Sequence, residues 1–380
     1  MSPRTRTHAV VVGAGLAGLT SAIALQRAGV EVVVLERTGA LAPAGAGISL
    51  WPNALHALAQ LGLSEPVLEA AAPAGAAPLT TWDGRVLTDG VAERLPERFG
   101  APLAVIHRAD LQAVLVDALG ADAIRTGSAV TGVSERSGKL VVRRDEREPL
   151  HAHLLVAADG VRSAVRNAVV GDAPARYAGY TAWRGVADGA MDVYGERYGR
   201  GALFGGAPLP GGRTYWWASL RGPEPAAGDD QGLLLGRFGD WAGGVPEVVA
   251  ATDPASVIRT PLTSRRALRS MTRGRIAFAG DAAHPMLPNL GQGGGQAIQD
   301  GVALGAALAA ADGDLGAALA HYDAARAKQA RKVVAMSAQM ARAGHLRNPL
   351  ASHLRNVLMQ AIPTEATLRR LAPIVGPNPH

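Results

Sequence analysis

Residues 8–12 form a short apolar run without alternation, the pattern of a parallel strand buried on both faces. Gly13-Ala14-Gly15-Leu16-Ala17-Gly18 follows, and 19–28 then predicts a helix stopped by Gly29. Residues 31–35 repeat the buried-strand pattern and end at Glu36. After a Gly/Ala/Pro-rich loop at 40–47, residues 52–61 have helical apolar spacing. The span 72–102 is irregular, with Asp83-Gly84 suggesting a hairpin. Residues 109–119 predict an amphipathic helix with Leu111, Val114, Leu115 and Ala118 on one face. Alternation over 124–155 predicts short strands, and 154–158 is another buried strand, closed by Asp159-Gly160. From about Ala175 to Thr263 short alternating segments predict an antiparallel sheet with one open face. Residues 275–280 return to a buried strand before Asp281, and a glycine cluster at 291–295 leads into a helix over 296–311. Residues 315–345 and 350–371 read as helical. The fold class expected is therefore α/β, with a discontinuous first domain that brackets a sheet.

Composition changes this picture in a few places. Aromatic residues are only 4% of the 380, yet Tyr177, Tyr180, Trp183, Tyr194, Tyr198, Tyr215, Trp216, Trp217 and Trp241 crowd the middle third, as a pocket-bearing sheet would. Arginine supplies all but three of the 38 basic residues (Lys139, Lys328 and Lys332 are the exceptions), a skew expected of a GC-rich genome. The net charge of +6 is dispersed rather than gathered into a stripe, which argues against a nucleic-acid partner. With no cysteine, disulfides, thiolate catalysis and cysteine-ligated metals are excluded, and a reducing cytoplasm is the expected location. Arg4 and Arg6 ahead of the apolar stretch 9–25 imitate a signal peptide, but Gly13, Gly15 and Gly18 interrupt it at meaningful spacing. No apolar run is long enough to predict a transmembrane helix.

Four motifs carry chemistry. Gly13-x-Gly15-x-x-Gly18, between a strand and a helix and with Glu36 ending the next strand, is a dinucleotide fingerprint. Gly13 allows the tight turn, Gly15 the approach of a pyrophosphate, and Gly18 the packing of helix on sheet. Glu36 can accept hydrogen bonds from both ribose hydroxyls. Gly280-Asp281 sits where a strand runs out, so Asp281 can bind a polyol or cap a helix. Pro288-Asn289-Leu290-Gly291-Gln292-Gly293-Gly294-Gly295 offers bare backbone N–H groups to a flat, electron-rich ligand. Asp159-Gly160-Val161-Arg162 fits phosphate positioning or the start of a surface helix.

In this order, the four motifs resemble the single-component flavoprotein aromatic hydroxylases, the para-hydroxybenzoate hydroxylase family. Asp159-Gly160 matches the family's DG motif and Gly280-Asp281 its GD motif. His107-Arg108 and the run Tyr180-Thr181-Ala182-Trp183-Arg184-Gly185 look closest to the urate hydroxylase, salicylate hydroxylase and zeaxanthin epoxidase subgroup. The resemblance implies a Rossmann-like FAD-binding domain from 1–75, 101–175 and 264–345. It implies a substrate-binding β-sheet domain from 76–100 and 176–263, and a C-terminal helical segment at 346–380; the apolar face over 354–374, with Arg355, Arg369 and Arg370, is expected to close the domain, a membrane tether being the alternative. The larger phenol hydroxylases' thioredoxin-like third domain is not expected.

The same resemblance implies residue roles. Glu36 and Arg37 would serve the adenosine ribose, Ser49 and Arg108 the phosphate or ribityl region, and Val130 the adenine through its backbone. Asp281 would hold the ribityl–pyrophosphate part. Gly291, Gly293, Gly294 and Gly295 would face the pyrimidine edge of the isoalloxazine. Asp159 and Arg162 would act through the pyrophosphate and the reductant's approach. NADPH or NADH would reduce non-covalent FAD by transient docking, because no second dinucleotide fingerprint is present. O2 would then form a flavin C4a-hydroperoxide that hydroxylates or epoxidises a small aromatic or polycyclic substrate. Tyr215 is the first candidate for a base or hydrogen-bond partner, with Arg184 and Arg213 for a substrate anion. His284 is expected to be structural. The protein is expected to be a cytoplasmic monomer or homodimer without a metal, and a tailoring step in secondary metabolism fits its composition. A flavin oxidase or reductase without oxygen insertion, or a non-catalytic protein of this fold, are the alternatives. A halogenase is excluded by the absence of its Trp-x-Trp-x-Ile-Pro motif.

Overall fold

A computed structural model describes residues 8–41, 46–145, 147–226 and 228–376. Arg4, Arg6 and the middle of the 40–47 loop lie outside these residues. The first sheet has six strands in the order Thr272–Arg273, Ile276–Phe278, Leu154–Ala157, His8–Val12, Glu31–Leu35, Ile124–Arg125. The four middle strands are parallel and in step: Val12 lies beside both Leu35 and Ala157, and Ala157 beside Phe278. Their carboxyl ends therefore release Gly13, Glu36, Asp159 and Asp281 along one edge, where ligands bind in open α/β sheets.

Two helices pack unusually closely behind that edge. Leu16–Arg27 follows the first strand, and Gly293–Ala310 crosses it. A Cβ at Gly301 would stand 2.5 Å from the Ser21 nitrogen, and one at Gly305 2.5 Å from the Ala24 Cβ. Only glycine permits this approach. Between them and the long helix Leu315–Gly344 lies a wholly buried carboxylate, Asp300. It accepts from the Gly280 N–H at 2.8 Å and from Arg326 Nε at 2.8 Å, and His284 Nε2 lies 2.5 Å away. Arg326 also reaches Gln296 Oε1 at 2.8 Å. One carboxylate thus fixes the strand end at Gly280, the following turn and both helices.

The second sheet has seven strands in the order Ile258–Ser264, Arg176–Ala187, Arg213–Arg221, Ala202–Leu209, Gly195–Tyr198, Leu79–Thr81, Val86–Thr88. It is antiparallel except where Leu79–Thr81 joins Gly195–Tyr198 in parallel. Trp183, Phe204 and Trp216 on one face pack against Leu234, Phe238, Val245, Val248 and Val249. Those residues belong to two helices, Asp230–Phe238 and Val245–Ala250, that the glycine-broken pattern did not reveal. The opposite face carries Tyr215, Ala207 and Leu209 against Ala46, Ala74 and Val105. Neither face is open, contrary to expectation, and much of the aromatic crowding is core rather than pocket.

Smaller corrections have local causes. The glycine helix begins at Gly293 rather than Gln296, because glycines in its first turn leave intrahelical bonding intact. The helix Arg108–Leu119 buries Leu119 and exposes Ala118. The C-terminal span is two helices, Pro349–Ala361 and Thr364–Val375, broken at Pro363. The second closes the body with Leu368, Ile374 and Val375 against Leu95, Phe99 and Val333. The first leaves its apolar side exposed.

Burial alone would raise the Asp300 pKa, but His284 and Arg326 together with the Gly280 N–H hold it below the ordinary carboxylate value. Its stabilisation is thus present above the ordinary carboxylate range and lost as pH falls through the lowered native value. Asp300→Ala should cost roughly 3–5 kcal/mol near neutral pH by stranding Arg326. Urea unfolding checks this, and the gap from wild type should narrow in acid.

Candidate functional site

The nucleotide end is built from backbone. Gly13 has φ +103°, and a Cβ there would lie 2.4 Å from the Ala158 oxygen. One at Gly18 would lie 1.8 Å from the Gly13 oxygen. At Gly15 no atom lies within 4 Å, so that position faces open space. Glu36 turns back on the same loop, accepting from the Ala14 N–H at 2.9 Å and from the Thr38 N–H at 3.0 Å. Burial opposes its ionisation, yet these bonds and Arg37 hold its pKa below the usual value. Gln112 donates to the Ala14 oxygen at 3.0 Å and pins the loop from the side. A cavity of about 210 Å³ opens here, lined by Ala14, Gly15, Glu36, Thr38, Arg108 and Gln112 among others.

The neighbouring strand ends add polar groups. Asp159 accepts from the Val165 N–H at 3.2 Å, its Oδ1 is buried without a partner, and burial raises its pKa. Arg162 is exposed. Arg166 is instead buried on Asp172 and the Ala282 oxygen, tying the Asp159-Gly160 turn to the Gly280-Asp281 turn. Gly293, Gly294 and Gly295 are the first residues of their helix, so their N–H groups have no intrahelical acceptor. A Cβ at Gly294 would strike Ile48 Cδ1 at 2.5 Å. Gly291, at φ +60°, would bring one 2.9 Å from Trp51 Nε1. Gln292 is buried with an unpartnered Nε2, while its Oε1 accepts from Asn53 at 3.0 Å. Ser49 lies opposite Val105 in the adjoining strand pair, and Val130 starts a strand beyond Ser128, whose N–H bonds the Glu36 oxygen.

Arg108 joins the two halves. Its guanidinium is accessible from the cleft yet walled by protein. Burial lowers its pKa, opposed by Asp281; Arg184 and Tyr215 also act on it. Asp281 is exposed to solvent at its strand end, yet the protein around it raises its pKa, opposed by His284 and Arg108. Tyr215 is also pushed up by burial, with Arg184 and Arg108 opposing. Its hydroxyl is therefore neutral near pH 7, a hydrogen-bonding group rather than a ready base. Its ring lies flat against Gly47, whose Cβ would be 2.4 Å from Tyr215 Cγ. Arg213 is not brought into this cluster: it sits at the start of the strand, donating to the Pro210 oxygen at 3.1 Å.

Sequence reading missed a second row on this face. Arg184, Trp217, Gly205 and Glu196 lie side by side across four strands. The Trp217 indole lies over Gly205, where a Cβ would be only 2.3 Å from the ring. Its Nε1 donates to Glu196 Oε1 at 3.1 Å, and the Tyr198 hydroxyl donates to Oε2 at 2.9 Å. Burial raises the Glu196 pKa. The only trace in the sequence is the two-residue spacing of Glu196 and Tyr198, which puts both on one face of a strand.

The residues present fit an FAD. Gly15 leaves room that any Cβ would fill, Glu36 offers an ionised acceptor, and the glycine helix offers free donors beside Gln292. The chain matches the family described as FAD binding domain over residues 6–193 and 247–337. It is 36% identical over 368 residues to the aurachin C monooxygenase/isomerase of Stigmatella aurantiaca, covering 95% of this chain and 96% of that one. It is 35% identical to the 3-amino-4-hydroxybenzoate 2-monooxygenase PtmB3 of Streptomyces platensis, covering 98% and 96%. The solved structure of Klebsiella pneumoniae HpxO with FAD and uric acid superposes with a TM-score of 0.91 at 29% identity, covering 98% and 97%.

Glu36→Ala removes an ionised acceptor and should weaken FAD retention roughly tenfold or more. Flavin absorbance after gel filtration checks this, with the far-UV spectrum confirming an intact fold.

Proposed function

We infer the reaction from one premise: the chain belongs to the FAD binding domain family and is an FAD-dependent monooxygenase. We propose that it hydroxylates or epoxidises a planar aromatic or polycyclic molecule with an acidic hydroxyl or carboxyl group, using NADPH or NADH and O2. One contact carries this reading: the Tyr215 ring of the sheet lies against Gly47, and Gly47 pairs with His107, next to the Arg108 that lines the nucleotide cavity. The cofactor edge and the sheet thus meet at the Gly47–His107 strand pair.

FAD, when bound, supplies the oxygen activation. Gly13, Gly15 and Gly18 with Glu36 and Arg37 hold its adenosine end, and Val130 borders the adenine. Ser49, Arg108, Asp159, Arg162 and Asp281 serve the phosphate and ribityl region. Gly293, Gly294 and Gly295 present N–H groups to the ring, whereas Gly291, whose N–H donates to the Pro288 oxygen at 2.7 Å, borders it without offering a donor. Residues 1–75, 101–175 and 264–345 form this part, 76–100 and 176–263 the substrate part, and 346–380 the C-terminal segment.

On the substrate side the Trp217 indole is a flat floor held by Glu196. Tyr215 hydrogen-bonds the substrate oxygen, and Arg184 with Arg108 favours its anionic form, which raises the electron density of the ring. The packing of Tyr215, Ala207 and Leu209 against Ala46 and Val105 excludes water from one side. The relatives named for aurachin C and 3-amino-4-hydroxybenzoate support a tailoring step in secondary metabolism. The protein works in the cytoplasm as a monomer or homodimer. Among the described residues no helix is long and apolar enough to cross a membrane.

NAD(P)H consumption by the FAD-loaded protein should rise with one member of a panel of phenols, purines and polycyclic aromatics, whose product gains one oxygen from 18O2. Stimulated oxidation without label would mean an oxidase. Tyr215→Phe should lower kcat roughly ten- to hundredfold with flavin content unchanged. Asp281→Ala should instead lose bound FAD, and unchanged flavin content there would remove Asp281 from the cofactor site.

A further inference from the structure

The helix Pro349–Ala361 is turned inside out. Ser352 and Arg355 are its buried residues. Arg355 donates to the Ala343 and Gly344 oxygens at 3.2 and 3.1 Å, and its guanidinium lies 5.1 Å from the Tyr198 ring centroid. Ser352 donates to the Leu346 oxygen at 3.0 Å. These anchors satisfy the last carbonyls of the long helix and fix the rotation of this one. The opposite side, at the i, i+4, i+7, i+8 spacing of a helical stripe, is Leu350, Leu354, Val357 and Leu358, exposed by 79%, 58%, 45% and 55%. Val86 and Trp82, on the hairpin beside it, are exposed as well, and Gln360 ties the helix to that hairpin through the Val86 oxygen at 2.9 Å.

Charge surrounds the same stripe. From residue 324 to 364 the chain has no aspartate or glutamate. Arg342 and Arg347 lead into the helix and are exposed. Arg347 packs on Gly201, whose N–H bonds the Leu346 oxygen; Arg221 bonds the Gly201 oxygen through its own N–H, and Arg237 reaches the Arg200 oxygen. Arg200, Arg221, Arg237, Arg342 and Arg347 are all exposed, and among the described residues none pairs with a carboxylate. Asp83, between Trp82 and Val86, is neutralised by Arg85 at 3.1 Å, and Asp89 comes in towards the far end of the helix, where Thr364 bonds its backbone oxygen.

We propose that this face docks on an anionic lipid bilayer, with the helix lying in the plane of the interface. A stripe of aliphatic side chains about 12 Å long, flanked by arginines and an exposed tryptophan, matches the layered chemistry of acyl chains, headgroups and anionic surface. A second copy is a poorer occupant, because a two-fold contact over this stripe would bring the arginine clusters together. The helix is too short to span, so binding is peripheral and reversible.

Flotation of the FAD-loaded full chain with phosphatidylcholine vesicles, with and without phosphatidylglycerol, tests this. Binding is expected only with phosphatidylglycerol, weakened by salt, and roughly fivefold weaker for each arginine neutralised, as in Arg200→Gln and Arg347→Gln. The double variant Leu354→Asp/Leu358→Asp should abolish it while keeping flavin content and NAD(P)H turnover. Absence of binding to the anionic vesicles overturns the proposal. So does undiminished binding of the double variant, which would mean a polyanion held by arginines alone. A dimer that this variant dissociates, with no vesicle binding, would give the face to a second copy.

Discussion

A single buried carboxylate, Asp300, holds the architecture in register. An unpaired charge in that position would be intolerable, so the chain surrounds it with the Gly280 N–H, His284 and Arg326. Each partner comes from a different element. The end of the parallel sheet, the turn bearing Asp281 and the start of the glycine helix consequently cannot move independently. Gln296 extends the network to Gln299, whose Oε1 also accepts from Asn53, and Asn53 reaches Gln292. The polar interior therefore runs from the structural core to the glycines that face the cofactor. His284, attractive in isolation as a catalytic base, is committed to this network.

Glycine supplies the second constraint by letting backbones touch. At Gly13 and Gly18 the chain's own carbonyls leave no room for a side chain, whereas at Gly15 the room is left for something else. The same logic recurs on the sheet, where Gly47 and Gly205 accept the faces of Tyr215 and Trp217. Of the two rings Tyr215 is buried and Trp217 only half-buried, so the Trp217 indole keeps the surface a planar substrate needs.

Much of this was legible before any coordinates. The strand–turn–helix around Gly13 is written in consecutive residues, so its periodicity and spacing identify it, and Glu36 and Asp281 follow from where apolar runs stop. What stayed hidden depends on partners far apart in the chain. Asp300 and Arg326 look like ordinary helix residues until two helices are crossed. Glu196 gains its significance only when Trp217 arrives from another strand. The aromatic crowding misled in a specific way: alternation along each strand sends Trp183 and Trp216 to one face and Tyr215 and Trp217 to the other, and only a pairing register decides which face meets the cofactor edge.

The crossing of the first helix by Gly293–Ala310 also bears on how the molecule is made. Ser21 and Ala24 are synthesised early, but Gly301 and Gly305, which cover them, follow about 280 residues later, roughly 15 to 60 s at ordinary translation rates. During that interval the nascent amino-terminal unit has a bare helix face and an unfinished ligand edge. The ligand edge can therefore be completed only after nearly the entire polypeptide has been made.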